Sequence, residues 1–322
     1  MNNRTLATEF ILLGFSKDFG INFILFVLFF LIYLMTVIGN GLIIHIIIFT
    51  PQLHTPMYFF ICKLSFIDLC NSSSALPKML VDLLSTERMI SLVACLAQVN
   101  ILLFIGTAEC FLLVLMAFDR CLAICLPLHY PVLMKWTICQ TLAAMIWVLS
   151  VLIIILPSFL MPVDLCYPNH INHFMCESLA VLQLSCYRNY IKELVIFLLS
   201  FVTILIPFCF IIVSYVCIVI SVLKIRSVSR AKSFSTCTSH VVVVAMYFGA
   251  GMVTYLGPSW DKSSNHGKYV SIFYVIIAPF LNPIIYSLNN REVKKSFKNI
   301  SMRQCKLPFT LSIEDLALDN VT

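Results

Sequence analysis

The sequence predicts an all-α integral membrane protein: a bundle of seven transmembrane helices followed by a short amphipathic eighth helix. Three observations lead there. Of 322 residues 61% are hydrophobic and 11% charged, against about 45–50% and about 25% in soluble domains. Seven stretches approach the length of about 20 largely apolar residues that a spanning helix needs. The basic residues gather in two places that an odd number of spans would put on one side of a bilayer. Fourteen cysteines are too sparse for a small disulfide-stapled scaffold, and 9 glycines with 13 prolines exclude collagen-like material. A net charge of +6 is too small to argue for nucleic acid as a partner and reads as topology instead.

Taken in order, Met1 to Gly20 carries Arg4 but no apolar block of signal-peptide length, because Phe10 to Phe15 is too short. Residues 1–22 therefore read as an extracellular N-terminus, and the first span, Phe23 to Phe49, as an uncleaved anchor. The next spans are Met57 to Leu84, Leu92 to Cys125, Ile138 to Phe159, Leu194 to Leu223, Phe234 to Leu256 and Tyr269 to Leu288. The second contains Lys63, Asp68 and Lys78, so it rests on its flanking polar segments more than on hydropathy. Lys224, Arg226, Arg230 and Lys232 lie between spans five and six, and Arg291, Lys294, Lys295, Lys298, Arg303 and Lys306 follow span seven. The positive-inside rule makes that side cytoplasmic and the N-terminus extracellular, in a multi-pass plasma-membrane chain. Asn3-Arg4-Thr5 is then a glycosylation acceptor. Residues 23–289 form one helical domain without visible repeats, and residues 290–322 a cytoplasmic tail. Within that tail Asn290 to Lys298 has Val293 and Phe297 at i and i+4 with basic residues opposite, the pattern of a helix lying on the inner leaflet. Cys305 is a palmitoylation candidate.

Chemistry-bearing residues are few. Cys95, Cys166, Cys176 and Cys186 fall in the oxidising compartment, where disulfides form, and four cysteines allow three pairings. A rival reading takes Cys166, His170, His173 and Cys176 as a soft-metal cluster. Asp68 and Glu109 are acids inside apolar spans; with Asn40 and Asn282 they can hold a hard cation, or one is protonated and both hydrogen-bond neighbouring helices. Asp119-Arg120 stands near the inner end of span three. No Ser-His-Asp pattern, His-Glu-x-x-His or phosphate-cradling glycine loop occurs, so no enzymatic activity is expected. A transporter or channel with Asp68 and Glu109 along its path is the competing reading.

Longer motifs say more. Leu53-His54-Thr55-Pro56-Met57-Tyr58-Phe59-Phe60, Met116-Ala117-Phe118-Asp119-Arg120-Cys121-Leu122-Ala123-Ile124-Cys125, Lys232-Ser233-Phe234-Ser235-Thr236-Cys237-Thr238-Ser239-His240 and Pro279-Phe280-Leu281-Asn282-Pro283-Ile284-Ile285-Tyr286 closely resemble the signatures of olfactory receptors, within the rhodopsin-like G-protein-coupled receptors. Gly39-Asn40 and Ser214-Tyr215 fit as well, and the match runs in order over nearly the whole chain. It most resembles the tetrapod-type, or class II, branch.

The resemblance implies the rhodopsin-like fold and a set of roles. Disulfides would join Cys95 to Cys176 and Cys166 to Cys186. Asp68 and Glu109 would form a sodium pocket, the chain having no other cofactor. Arg120 with Asp119 would serve G-protein coupling, with Tyr215, Phe248, Asn282, Pro283 and Tyr286 taking part in activation. The odorant pocket would use Leu102, Leu103, Gly106 and Thr107 from span three, a set that falls on one helical face with Cys110. Leu199, Ser200 and Thr203 would join from span five, Gly251, Met252 and Tyr255 from span six, and Val275 from span seven. None of these is charged, so a small, mostly hydrophobic ligand is expected, held by a hydroxyl of Thr107, Ser200, Thr203 or Tyr255. The implied partners are an odorant, a stimulatory heterotrimeric G protein that raises cyclic AMP, membrane lipid and olfactory trafficking chaperones. The sequence departs from the pattern at Phe118 and Cys121, where tyrosines commonly flank Asp-Arg, at Phe248, where an activation-linked tyrosine is usual, and at Asn289 in place of arginine.

Overall fold

A computed structural model describes residues 6–162, 164–186, 190–224, 228–257, 266–288 and 293; the Asn3 acceptor, Cys305, the cluster of basic residues after span seven and, Val293 apart, the amphipathic stretch 290–298 lie outside them. Seven long helices form at the expected places. Helix α1 spans Phe19–Phe49 and starts four residues earlier than the apolar run because Asp18 caps it, its carboxylate accepting the Ile21 N–H at 2.9 Å. Helix α2 spans Pro56–Leu84 with proline at its first position. Helix α3, Leu92–Cys125, is capped by Ser91, and α4 is a single turn at Tyr130–Leu133. Helix α5 runs Trp136–Leu160, α6 is the short Ser178–Leu182, α7 runs Tyr190–Leu223 and α8 Val228–Tyr255. The last, α9, is continuous through His266–Ile272, Phe273–Ile277 and Ala278–Leu288. Among the described residues six helices are long and apolar enough to cross a membrane. Helix α2 is the seventh long helix; it fails on hydropathy, as its Lys63, Asp68, Lys78 and Asp82 dictate, yet it packs centrally against α1 and α3. The chain is thus a multi-pass membrane protein with the seven-helix, rhodopsin-like architecture.

Three of the helices contain a widened π turn: Val151–Ile155 in α5, Phe201–Leu205 in α7 and Phe273–Ile277 in α9. Each is followed two residues later by a proline, Pro157, Pro207 or Pro279. A proline has no N–H for the carbonyl four residues back, and its ring crowds that carbonyl. Those carbonyls belong to Ile153, Thr203 and Val275, the middle residue of each π turn. The wider turn accommodates the missing bond and rotates every side chain before it relative to those after.

One end of the bundle is closed by a small sheet that hydropathy did not anticipate. Strand β1 (Glu9–Leu12) lies between β2 (Met89–Ser91), antiparallel, and β3 (His170–Ile171), parallel. Phe10 and Leu12 are fully buried beneath it with Ile90, Leu165 and Ile171. Arg88 donates to the Leu13 carbonyl at 2.9 Å and Lys268 to the Gly14 carbonyl at 2.7 Å, so the segment before α1 is tied both to the α2–α3 connection and to α9. Gly14 has φ 64°, a left-handed conformation that favours glycine, where the strand turns toward α1. At the bundle's centre, Gly39 lets α1 approach α9: a Cβ there would come within 3.0 Å of Pro283.

Candidate functional site: a cavity beneath the loop and a polar chain to the opposite end

Two disulfides fasten the α5–α7 loop over the bundle. Cys95 of α3 is bonded to Cys176 and Cys166 to Cys186, the pairings the resemblance implies. Cysteines so bonded offer no thiolate to a metal, and among the described residues no group of three or more His, Cys, Asp or Glu could hold one; the metal-cluster reading of Cys166, His170, His173 and Cys176 therefore fails. His173 points inward instead. Its Nδ1 accepts the Met175 N–H (3.2 Å), so Nε2 carries the proton and donates to Ser271 Oγ (3.0 Å), which donates to the Lys268 carbonyl (2.9 Å). Burial, with the nearby Lys268 charge, pulls the His173 pKa down to about 3.

Beneath this loop lies a cavity of about 120 Å³. Its wall contains Leu102, Leu103, Gly106, Thr107 and Cys110 of α3, Leu199, Ser200 and Thr203 of α7, and Gly251 and Tyr255 of α8. Met252 and Val275, expected there, stand off the wall. Met252 packs on the main hydrophobic core and Val275 is buried in a second cluster with Leu76 and Phe174. The π turn in α9 is the physical reason for the second case: it brings Tyr274, rather than Val275, to the cavity. The prolines were visible in the sequence and are the signal that would have warned of the rotation.

Sequence reasoning missed a more consequential member, Glu177, which lines the cavity from the loop. It caps α6, Oε2 accepting the Leu179 and Ala180 N–H groups at 2.9 and 3.0 Å, while Oε1 accepts the Tyr255 hydroxyl at 3.0 Å. Burial pushes its carboxyl above the usual carboxylate range, opposed by these donors. Glu177 thus adds an ionisable group to a wall whose expected members are all uncharged. Its position next to Cys176 was legible, but nothing in a linear reading aims that loop residue into the bundle.

The polar residues deeper in the bundle form a chain along α2, α3 and α9. Asp68 is fully buried and both its oxygens accept from Asn282 Nδ2, at 3.0 and 2.9 Å. Glu109 is also fully buried, and neither of its oxygens receives a hydrogen bond. Asn40 donates to the Pro279 carbonyl at 3.0 Å, bridging α1 and α9. Tyr247 donates to the Gly106 carbonyl at 2.9 Å, and a Cβ on Gly106 would come within 3.0 Å of that hydroxyl. Phe248, 1% exposed, packs against Phe208 and borders the cavity floor.

At the far end Arg120 is held by its own neighbour, Nε and Nη2 reaching Asp119 Oδ2 at 3.0 and 2.5 Å. Tyr130 of α4 donates to the other oxygen, Oδ1, at 2.7 Å. His240 Nε2 donates to the Leu113 carbonyl (3.1 Å), which leaves Nδ1 to accept the Tyr215 hydroxyl (2.7 Å) and links α3, α7 and α8. The Tyr286 hydroxyl is buried without a hydrogen-bond partner. Cys121, in place of a tyrosine, sits 3.9 Å from Cys125, which also accepts from Ser221 of α7.

Comparison with known proteins agrees with this arrangement. A family model described as olfactory receptor matches residues 29–304. The chain is 41% identical to olfactory receptor 2A7 of Mus musculus over 306 residues, covering 94% of this chain and 98% of the relative. It is 39% identical to olfactory receptor 2A12 of Homo sapiens (94% and 98% covered) and 42% to human olfactory receptor 11L1 (96% and 97%). With seven long helices, a loop-covered cavity and Asp119-Arg120 at the opposite end, the chain belongs to the olfactory receptor family, whose members are odorant-sensing G-protein-coupled receptors rather than enzymes.

Proposed function

We propose that the chain is a switch in which a small ligand in the cavity controls the Asp119-Arg120 end, coupling to a stimulatory heterotrimeric G protein and raising cyclic AMP. The carrying observation is that α3 and α8 line the cavity and also carry Arg120 and His240 at the other end. Ligand that binds one arrangement of these helices better than another shifts the population by its differential affinity. In this structure Arg120 is occupied by Asp119; release of that pair, with Tyr215, Phe248 and Tyr286 repacking, would open the surface that a G protein engages. The basic residues between spans five and six and after span seven support an orientation with the cavity toward the extracellular side and Arg120 toward the cytosol, in which Asn3 would be available for glycosylation and trafficking chaperones would assist delivery. The test is a cyclic AMP dose–response to an odorant panel with surface copies counted by antibody. Arg120→Ala is expected to abolish the response while retaining surface expression, and retained signalling would contradict its role.

A sodium ion fits the acid pair on chemistry. Asp68 Oδ1 and Oδ2, Glu109 Oε1 and Oε2 and the unpartnered Asn282 Oδ1 are all hard oxygen donors, and two buried carboxylates need positive charge, a proton or an ion, between them. Bound sodium would supply that charge and favour the arrangement shown. Raising sodium against choline at constant ionic strength should weaken agonist potency in the native chain and leave Asp68→Asn unaffected; equal sodium sensitivity in both would remove the site.

A further inference from the structure

Four of the hydroxyls on the cavity wall, those of Ser200, Thr203, Tyr247 and Tyr255, have already committed their hydrogens and face a ligand as acceptors. Ser200 Oγ donates to the Ile196 carbonyl at 2.8 Å and Thr203 Oγ1 to the Leu199 carbonyl at 2.9 Å, so each hydroxyl hydrogen is committed to its own helix and only oxygen lone pairs remain for a ligand. Tyr255 spends its hydrogen on Glu177, and Tyr247 spends its own on Gly106. Glu177 has no donor at all when ionised. Its Oε2 is filled by two N–H groups, whereas Oε1 holds one hydroxyl and keeps a lone pair. The Tyr274 hydroxyl lies buried on the same wall without a hydrogen-bond partner among the described residues and is free either to accept or to donate. Among the described residues no cation pairs with Glu177: the salt bridges there join Lys78 to Asp82 and Arg120 to Asp119.

We infer that the cavity recognises an aliphatic amine, whose ammonium donates to Glu177 Oε1 and the neighbouring hydroxyl oxygens while its alkyl chain lies against Leu102, Leu103 and Leu199. The inference rests on the reading of this cavity as the ligand site. A charge buried among apolar side chains is costly unless paired, and an ammonium supplies both the missing charge and the missing donors. A carboxylate ligand would meet acceptors and repulsion; an alcohol brings one donor and no charge. Charge-assisted hydrogen bonds are roughly twice as strong as neutral ones, which sets the direction of the preference.

The test measures binding of octan-1-amine, octan-1-ol and octanoate at pH 7.4 to the purified full chain in lipid nanodiscs. The amine is expected to bind about tenfold more tightly than the alcohol, a difference of about 1.4 kcal/mol, with octanoate weakest. Glu177→Gln should reduce the amine-to-alcohol ratio to near unity. Because Glu177 also caps α6, Tyr255→Phe provides a variant that leaves the cap intact; by removing the neutral donor from Oε1 it should raise that ratio. Amine binding no tighter than alcohol, absence of binding by the amine, or a preference unchanged in both variants would overturn the inference. The underlying reading fails separately: it is lost if Gly251→Trp, which fills the cavity, leaves binding of all three compounds intact, whereas equal affinities abolished by Gly251→Trp would sink the amine preference alone.

Discussion

At the residue scale, His173 shows how a loop side chain is made part of the core. It is buried, neutral and fixed in one tautomer by Met175 on one side and Ser271 on the other. Its folded pKa of about 3 lies below the unfolded value of about 6.5. The unfolded chain therefore binds the extra proton between these values, and the stability His173 contributes, present above about pH 6.5, is lost as pH falls, by up to about 1.4 kcal/mol per pH unit. Burial raises Glu177 instead, so its contribution runs the other way, falling as pH rises above its unfolded value near 4.5. The two are separated by substitution: thermal denaturation of purified receptor at pH 7 and pH 5 should show a loss at pH 5 that is smaller in His173→Gln. An equal loss in both proteins would show that His173 does not titrate on unfolding.

At the scale of elements, the disulfide from Cys95 to Cys176 positions Glu177, because the residue after the bridge is the one that enters the cavity. Removing a native bridge from a small extracellular domain costs about 2–5 kcal/mol, and here it would also free the loop that carries β3 and α6. Cys95→Ser is expected to reduce surface delivery severely, as read by antibody on unpermeabilised cells; normal delivery with an intact response would show that the loop needs no anchor. The spans themselves were legible because length and apolarity are all that a bilayer demands, and even the charged α2 was found from its flanks. The β1–β2–β3 lid was not, since strands of two to four residues drawn from three distant segments carry no periodicity. Helical phase was legible in α3, which has no proline, and failed in α9, where the π turn before Pro279 exchanged Val275 for Tyr274.

At the scale of the molecule, the motifs at both ends acquire a common geometry. The cavity lies under the disulfide-bearing loop, the acids Asp68 and Glu109 lie within the bundle, and the Arg120–Asp119 pair, held by Tyr130, closes the opposite end. The same buried acids are what a transporter reading would use as an ion path, so the central claim, a binding switch, is tested most directly by one reconstitution. The chain in proteoliposomes with a stimulatory heterotrimeric G protein is challenged with an agonist while nucleotide exchange and ion flux are recorded together. The account predicts agonist-dependent acceleration of nucleotide exchange, lost in Arg120→Ala, with no agonist-dependent flux. Agonist-dependent flux without any acceleration of exchange would contradict it.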